Sequence, residues 1–463
     1  MSNVFDFGST AYLAGGKAVV EVPDNRALTI DGKYPTVDIT PKEDPNQEHP
    51  ASVKFVQWGA GNRLPLDIIS KVYKNVTTSA NIEFNNRLGV GDGIMVYRKV
   101  RTGNKLTVQP LLDSEAPEVF DFLMKCNYGR VIQEQIADLS VFGDANAEIQ
   151  IGRDGKTVAL ISHKELCYSR LSETNDNGEI EWHGYSAKWS EGMPDDVIVT
   201  RYLDRRLPYL DLLRRIGQEP NMDGNKADTK ERRFIMSMSQ PVPGRFYYNK
   251  PFWWSIFEAG WYDFACAIPE FKRALISNQM VVKWHVHIEA KFWDKLFKSV
   301  GATTDTKKKS AREDFLSKLD KFLAGAENAG KAFLSEFKYD NMKGQMLEDI
   351  RITPVDNGLK GGEYISDSEE VSNIICYAMG VHPSLIGANP GKNGTISGSE
   401  ARELFTIKQT MLKPIRDTLV LPLYIAKRLN GWAEDIHFAI PNLMLTTLDK
   451  NTGTEKSIGN EKL

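Results

Sequence analysis

The stretch "GVHPSLIGANPGKNGTISGSE", Gly380 to Glu400, comes nearest to phosphate chemistry in this chain. Lys392 follows Gly391 and lies between Asn389 and Asn393, so one ammonium and two amides share a glycine-rich run. A phosphate-cradling loop requires G-x-x-x-x-G-K-[ST], because backbone N–H groups wrap the phosphates and the closing hydroxyl holds magnesium. Here Asn393 stands where the hydroxyl belongs, and Ile386 stands where the first glycine belongs. No strand-like apolar run precedes the stretch. It reads instead as a mobile helix-to-helix connection without nucleotide chemistry.

A second candidate is "MVVKWHVHIE", where the apolar period switches to two. His285, His287 and Glu289 share one face of a strand and are metal-ligand types. No further ligand motif accompanies them, so a half-exposed strand is expected and no metal is assigned. The other face carries Met280, Val282, Trp284, Val286 and Ile288 and is expected to be buried. Cys126, Cys167, Cys266 and Cys376 lie far apart with no C-x-x-C pair, which is neither a zinc nor a disulfide framework and suits a reducing cytoplasm. "GVGDG", Gly89 to Gly93, precedes the strand-like "IMVYRKV" instead of opening a helix, so it reads as a turn and not a dinucleotide fingerprint. No G-x-S-x-G elbow and no acidic metal cluster with flanking histidine is found. No enzyme, catalytic residue or cofactor is expected.

The 463 residues exceed one ordinary core, so two to four domains are expected. Hydrophobic content of 41% and charged content of 26% are those of a soluble globular chain. No apolar run approaches the ~18–20 residues of a membrane span, so no membrane partner is expected. "MSNVFDFGSTAYLAGG" has no basic region ahead of an apolar one and does not read as a secretory signal. Lys and Arg number 58 against 61 Asp and Glu. A protein that grips nucleic acid carries a basic surplus; near-balance argues against gripping DNA, not against letting it slide past.

These candidates need elements to position them, and the patterns give an α+β fold. Residues 1–60 read as an irregular arm with short β-like pieces. "RLPLDIISKVYKNVTTSANIEFNNRL", "EVFDFLMKCN" and "YGRVIQEQIADLSVFG" have helical spacing. "ANAEIQIGRDGKTVALISH" reads as a hairpin with Asp154-Gly155 at a type I′ turn. In "PFWWSIFEAGWYDFACAIPEFKRALIS", Trp254, Phe257, Trp261, Phe264, Ile268, Phe271 and Leu275 recur at three- and four-residue steps, one continuous stripe that Pro269 should kink. The stripe is expected to pack against protein and not against bases. Lys307–Lys309 reads as a solvated loop before the amphipathic "REDFLSKLDKFLAG". Ser366 with Glu369, and Ser397 with Glu400, have capping-box spacing. Gly380 ends the first of these helices. The second runs to about Asn430, with a bend expected at Pro414 and a stop at Gly431.

The order of pieces carries a resemblance. Met379-Gly380-Val381-His382-Pro383, Leu385-Ile386-Gly387, Glu400, Phe405, Met411-Leu412 and Pro414 resemble the C-terminal signature of tailed-bacteriophage portal proteins, with His382 where proline is common. "GAENAGKAFL" and "LSVFGDANAEIQIGRDGKTVAL" are similar to two upstream segments of that family, and the order matches over about residues 60–450.

The resemblance implies a multidomain subunit with a mixed α/β wing, a two-helix stem, a small β-containing clip and a helical C-terminal region. It implies an arm at 1–60, wing at 61–250, first stem helix at 251–276, clip at 277–305 and second stem helix at 306–325. Residues 326–398 would form a return strand, a helix and a tunnel loop holding Asn389, Lys392 and Asn393. Residues 399–463 would form a long kinked helix and a wing or crown segment. Val282, Trp284 and Val286 become a clip interface. A dodecameric homo-oligomer is implied at the capsid vertex of a virion assembled in the host cytoplasm. Its implied partners are the terminase large subunit, major capsid protein, scaffold and head-tail adaptor, with double-stranded DNA passing through without sequence preference. The alternative is another phage ring component, adaptor or baseplate-like, without a DNA tunnel.

Overall fold

The computed structural model describes residues 4–6, 10–13, 18–21, 35–42, 50–103, 105–192, 194–220, 225–226, 231–279, 284–324, 337–340, 345–354, 363–387 and 398–443. Helices and strands are mixed throughout in an α+β arrangement. The chain divides into two compact units, Met1–Cys266 with Ile365–Leu463, and Ala267–Tyr364.

The first unit opens with an antiparallel meander, β1 (Val4–Asp6), β2 (Thr10–Leu13) and β3 (Ala18–Glu21). Within the segment read as an irregular arm, β4 (Thr36–Ile39) pairs antiparallel with β5 (Val53–Val56) and buries Ile39, Val53 and Phe55. The single helical pattern that follows is two helices, α1 (Leu64–Lys74) and α2 (Val76–Val90). Asn75 divides them. Its backbone is extended and its Oδ1 accepts from Thr78 N at 2.8 Å, an N-cap that the apolar spacing alone does not reveal. β6 (Met95–Thr102) and β7 (Lys105–Pro110) form a hairpin ahead of α3 (Pro117–Cys126) and α4 (Tyr128–Phe142). α4 buries Val131, Ile132, Gln135, Ile136, Leu139 and Phe142, the three- and four-residue steps of one helical face.

Six strands form the central sheet: β8 (Asn146–Ile151), β9 (Val158–Lys164), β10 (Ser169–Leu171), β11 (Trp182–Tyr185), β12 (Ile198–Tyr202) and β13 (Arg233–Ser237). Their order is β10-β11-β12-β13-β8-β9. The β12–β13 pair is parallel and the others antiparallel. A parallel pair requires a crossover, and α5 (Pro208–Arg215) lies in it, anchored by fully buried Leu212. Neither α5 nor β13 was expected from the sequence. The β8–β9 hairpin has a longer connection than a type I′ turn. Gly155 has φ 71, but Asp154 does not share the left-handed region. Instead the Asp154 carboxylate accepts from Lys156 N at 3.0 Å and Thr157 N at 3.2 Å. One apolar core joins α3, α4, β8, β9 and β13, including Ile132, Ile149, Ile161 and Phe234.

The aromatic stripe is not one helix. Phe252–Trp254 is a 3₁₀ turn, α6 (Ser255–Glu258) is one turn long, and α7 (Trp261–Gln279) begins after Gly260 at φ 77. The buried side chains there are Trp253, Trp254, Ile256, Tyr262 and Ile268, whereas Phe264 and Phe271 are exposed. Trp253 and Trp254 are held by their indole N–H groups, which donate to Ser140 O and Val141 O at the end of α4, both at 2.9 Å. A glycine break and two polar anchors thus outweigh the helical periodicity.

The second unit contains β14 (Trp284–Ile288), α8 (Ala290–Ser299), α9 (Asp305–Ala324), β15 (Phe337–Asp340), β16 (Gln345–Glu348) and β17 (Ile350–Pro354). β14 pairs antiparallel with β17, and β15 with β16. Lys307–Lys309 lies in the first turns of α9 and not in a loop. Phe292 and Trp293 of α8 meet Phe315 of α9 and each other, and Phe297 stacks on Trp293, with ring centroids 5.0 to 6.4 Å apart. The Arg312 guanidinium lies 4.8 Å from the Trp293 ring.

Back in the first unit, the chain forms α10 (Glu363–Ala378), α11 (Pro383–Ile386), α12 (Gly398–Leu429) and β18 (Ile436–Ala439), which pairs with β6. α10 starts at Glu363, so Ser366 is inside the helix and does not cap it; three-residue spacing marks one helical face as well as a capping box. α12 runs on through both Pro414 and Pro422. Among the described residues, no helix is long and apolar enough to cross a membrane.

Candidate functional site

Asn389, Lys392 and Asn393 lie outside the described residues, as do Val282 and Ser397. Trp284 opens β14 opposite Pro354, and half-buried Val286 lies opposite Ile352. His285 and His287 are exposed on the alternate face, with ring centroids 4.0 Å apart. Among the described residues, no three His, Cys, Asp or Glu side chains form a metal-binding group.

The structure does define the frame that holds the two ends of 388–397. α10 buries Val371, Ile375 and Cys376, and Met379 just after it is buried too. Asn81 of α2 donates through Nδ2 to Cys376 Sγ at 3.3 Å, and Asn85 Nδ2 donates to Met379 O at 3.4 Å. Gly380 then turns the chain at φ 62, a left-handed conformation that costs a residue with a Cβ. A Cβ there would also stand 3.1 Å from Met411 Cε. Val381 N donates back to Cys376 O at 2.9 Å, closing the helix end. His382 Nδ1 accepts from Ser384 N at 3.3 Å, and Pro383 starts α11.

Three cations on α12 are buried, and the first two reach this frame. Lys408 Nζ donates to Gly380 O at 2.8 Å, and burial pushes its ammonium down to about 8. Arg416 donates to Leu88 O at 2.6 Å, Gly89 O at 3.1 Å and Asn442 Oδ1 at 2.6 Å. Lys427 Nζ donates to Glu434 O and Ile436 O, both at 2.6 Å. Burying a charge is costly unless it is hydrogen-bonded. Here each charge meets backbone carbonyls, and for Arg416 these lie in the last turn of α2, where carbonyls lack intrahelical donors. Gln409 adds a reciprocal pair with Leu443, at 2.6 and 2.5 Å. These residues contribute clamping, not bond chemistry. Sequence reading missed them, although a signal exists: Lys408, Leu412, Arg416, Leu419, Leu423 and Lys427 follow three- and four-residue steps along one buried stripe.

A second polar centre sits between β5, α4 and the sheet. Arg170 is 1% exposed, donates to Asn62 O at 2.7 Å and Ser169 O at 2.7 Å, and lies 5.8 Å from the Trp58 ring and 5.5 Å from the Trp189 ring. Burial pushes its guanidinium down to about 10. Asp144 is pushed up to about 6 by burial, against the opposing pull of Arg205 and Ser237. His183 is pushed down to about 3 by burial, with Lys164 and Arg170 adding to it. The cavity lined by Trp58, Asp144, Asn146, Ser169, Tyr202 and Tyr248 measures about 10 Å³, room for one water and no substrate.

No protein-family model and no curated protein matches the chain. Among solved structures, it resembles a chain from the neck of an empty gene transfer agent particle computed with C6 symmetry. The TM-score is 0.50 at 14% identity, covering 80% of this chain and 83% of that one. A chain from the neck of the native particle, computed with C12 symmetry, matches with a TM-score of 0.49 at 14% identity over 81% and 83%. A chain of the native virion matches with 0.49 at 12% identity over 80% and 83%. At this identity the match to the C6 neck chain establishes a shared fold.

Proposed function

We propose that this chain is the portal subunit of a tailed-phage-type particle. Copies close into a ring at one capsid vertex, double-stranded DNA passes through the centre, and the chain itself catalyses nothing. The observation that carries the reading is the fold shared, over 80% of this chain, with a chain from a particle neck. The collinear portal-like motifs around Gly380–Pro414 support it independently.

Three features fit. Net charge is −3, so the chain lacks the basic surplus whose phosphate contacts would hold DNA through counterion release. The α10–α12 frame fixes both ends of 388–397, the segment we assign to the channel wall with Lys392 between two amides. In the second unit no side chain of α8 is fully buried, which fits packing completed by neighbouring copies. We assign the twelvefold ring, the terminase, adaptor, scaffold and capsid contacts, and the Val282–Trp284–Val286 clip interface on the same reading.

Negative-stain electron microscopy of the purified full chain tests it. Rotationally symmetric rings with a central opening wide enough for duplex DNA are expected. Monomers, closed dimers or particles without an opening at all concentrations would overturn the reading.

A further inference from the structure

His285 and His287 alternate with Val286 on β14, so both imidazoles leave the same face of the strand, and both are exposed. Two residues along a strand cover ~6.8 Å. The ring centroids stand only 4.0 Å apart, with the planes at 41°, so the side chains lean together instead of standing parallel. The backbone beneath them is fixed. β14 pairs with β17 over its whole length, His285 opposite Thr353 and His287 opposite Arg351, and Thr353 Oγ1 donates to His285 O at 3.2 Å. Glu289 is the N-cap residue of α8, and among the described residues no third His, Cys, Asp or Glu completes a group with the two rings. The other described histidines are placed differently. His163 is bonded to Asp138, His183 is buried, His382 accepts from Ser384 N, and His437 packs on the Tyr97 ring.

We propose that His285 and His287 form a two-armed site for a divalent first-row transition ion: nickel, copper or zinc. Imidazole nitrogen suits these ions. A metal–nitrogen bond of ~2.0–2.1 Å puts each ring centroid ~3.2 Å from the ion, and two rings on neighbouring positions of the ion then stand about 4.5–5 Å apart. The observed 4.0 Å pair lies within about 1 Å of that separation. Side-chain rotation in solvent supplies the difference without moving the strands. Water fills the remaining positions, so the ion stays open to a donor from outside the chain. Spacing in the sequence assigns no metal, because it does not show that the rings meet. The opposing feature is Arg351, a cation opposite His287. Its repulsion acts across solvent, where the high dielectric screens it, so it weakens the site without forbidding it. The site lies within the second unit and does not depend on the ring reading above.

The test is metal titration of the full-length protein after stripping with EDTA. Calorimetry with nickel and with zinc should show binding that His285→Gln and His287→Gln each weaken roughly tenfold or more, because the second arm acts at a high effective concentration once the first is bound. The double variant should lose little beyond either single one, since a chelate is lost with its first arm. Electron paramagnetic resonance of the copper-loaded protein should show splitting from a pair of nitrogens, reduced to one in either single variant. Both side chains are exposed, so the far-UV circular dichroism of every variant should match wild type. Small losses that simply add in the double variant would show two independent surface histidines and overturn the site. Binding that neither substitution changes, or no binding at all, would overturn it as well and leave the ring contact as stacking only.

Discussion

Replacing Arg416 with methionine keeps an unbranched stem of similar length and removes the guanidinium. Three bonds go with it, to Leu88 O, Gly89 O and Asn442 Oδ1. The two carbonyls end α2 in buried surroundings, and an unmet buried acceptor costs ~1–3 kcal/mol, so the gross loss is ~2–6 kcal/mol. Relief of the buried charge returns part of this, since desolvating an ion costs several kcal/mol. A net loss of about 2–4 kcal/mol follows, a factor of roughly 30 to 900 in the equilibrium for opening the end of α2. Hydrogen exchange should report it locally, at the Gly91 N–H bonded to Arg87 O and the Gly93 N–H bonded to Val90 O. Arg416→Lys, whose ammonium reaches fewer of the three acceptors, should fall between. Exchange at Gly91 and Gly93 unchanged in Arg416→Met, with an unchanged melting temperature, would refute the clamp.

Trp254→Ala should cost ~3–5 kcal/mol and expose the end of α4 to exchange, whereas Trp261→Ala, at a half-buried position, should cost clearly less; equal costs in denaturant melts would contradict the anchor assignment. At Gly89 a Cβ would stand 2.1 Å from Ile136 Cδ1, so Gly89→Ala should cost ~1–3 kcal/mol, with part recovered in combination with Ile136→Val; an additive double mutant would show that the two helices do not touch there. Burial alone would lower His163, but the hydrogen bond and charge of Asp138, followed by Glu165 and Glu134, raise it above its ordinary value. Its contribution is complete below the unfolded pKa of ~6.5 and is lost as pH rises through the folded value, so stability should fall on that side of neutrality and the slope should vanish in His163→Gln. Asp144, pushed up to about 6, has the same sign in a lower window: stability should fall as pH rises from ~4 to about 6, and melts of Asp144→Asn should lack that fall.

Where local physics dominates, the elements were readable. α3, α4, α8 and β6 follow their apolar periods. Gly380 and Gly431 both stop helices with positive φ, 62 and 67, as their places after apolar runs imply. Misreadings arose where one residue outweighs a period. Asn75 divides a smooth helical pattern because its side chain caps the second helix. Gly260 does the same within the aromatic stripe, and the tryptophans that bury there were chosen by indole donors reaching carbonyls of α4. β13 was missed because "RFIMS" is short and follows a charged run, and its parallel partner β12 is distant in sequence. Gly89 reads as part of a glycine turn, yet it belongs to α2, where its missing side chain admits Ile136.

The candidate site was less readable for a different reason. Motif reading searches for groups that make or break bonds, and it looks for cations beside carboxylates. Lys408, Arg416 and Lys427 do neither; their partners are main-chain carbonyls, which every residue supplies and no sequence pattern marks. Their clue was burial, a charged residue on each of several steps of an otherwise apolar helical stripe. Clamps of this kind suit the proposed function. In a ring, whatever one copy presents to the axis is repeated by every copy, and each phosphate neutralised steepens the salt dependence of binding by ~0.9 in log–log slope. A cluster of lysines would therefore be multiplied into a trap for DNA. Keeping these α12 cations turned inward on carbonyls lets them stabilise the fold without adding to that count.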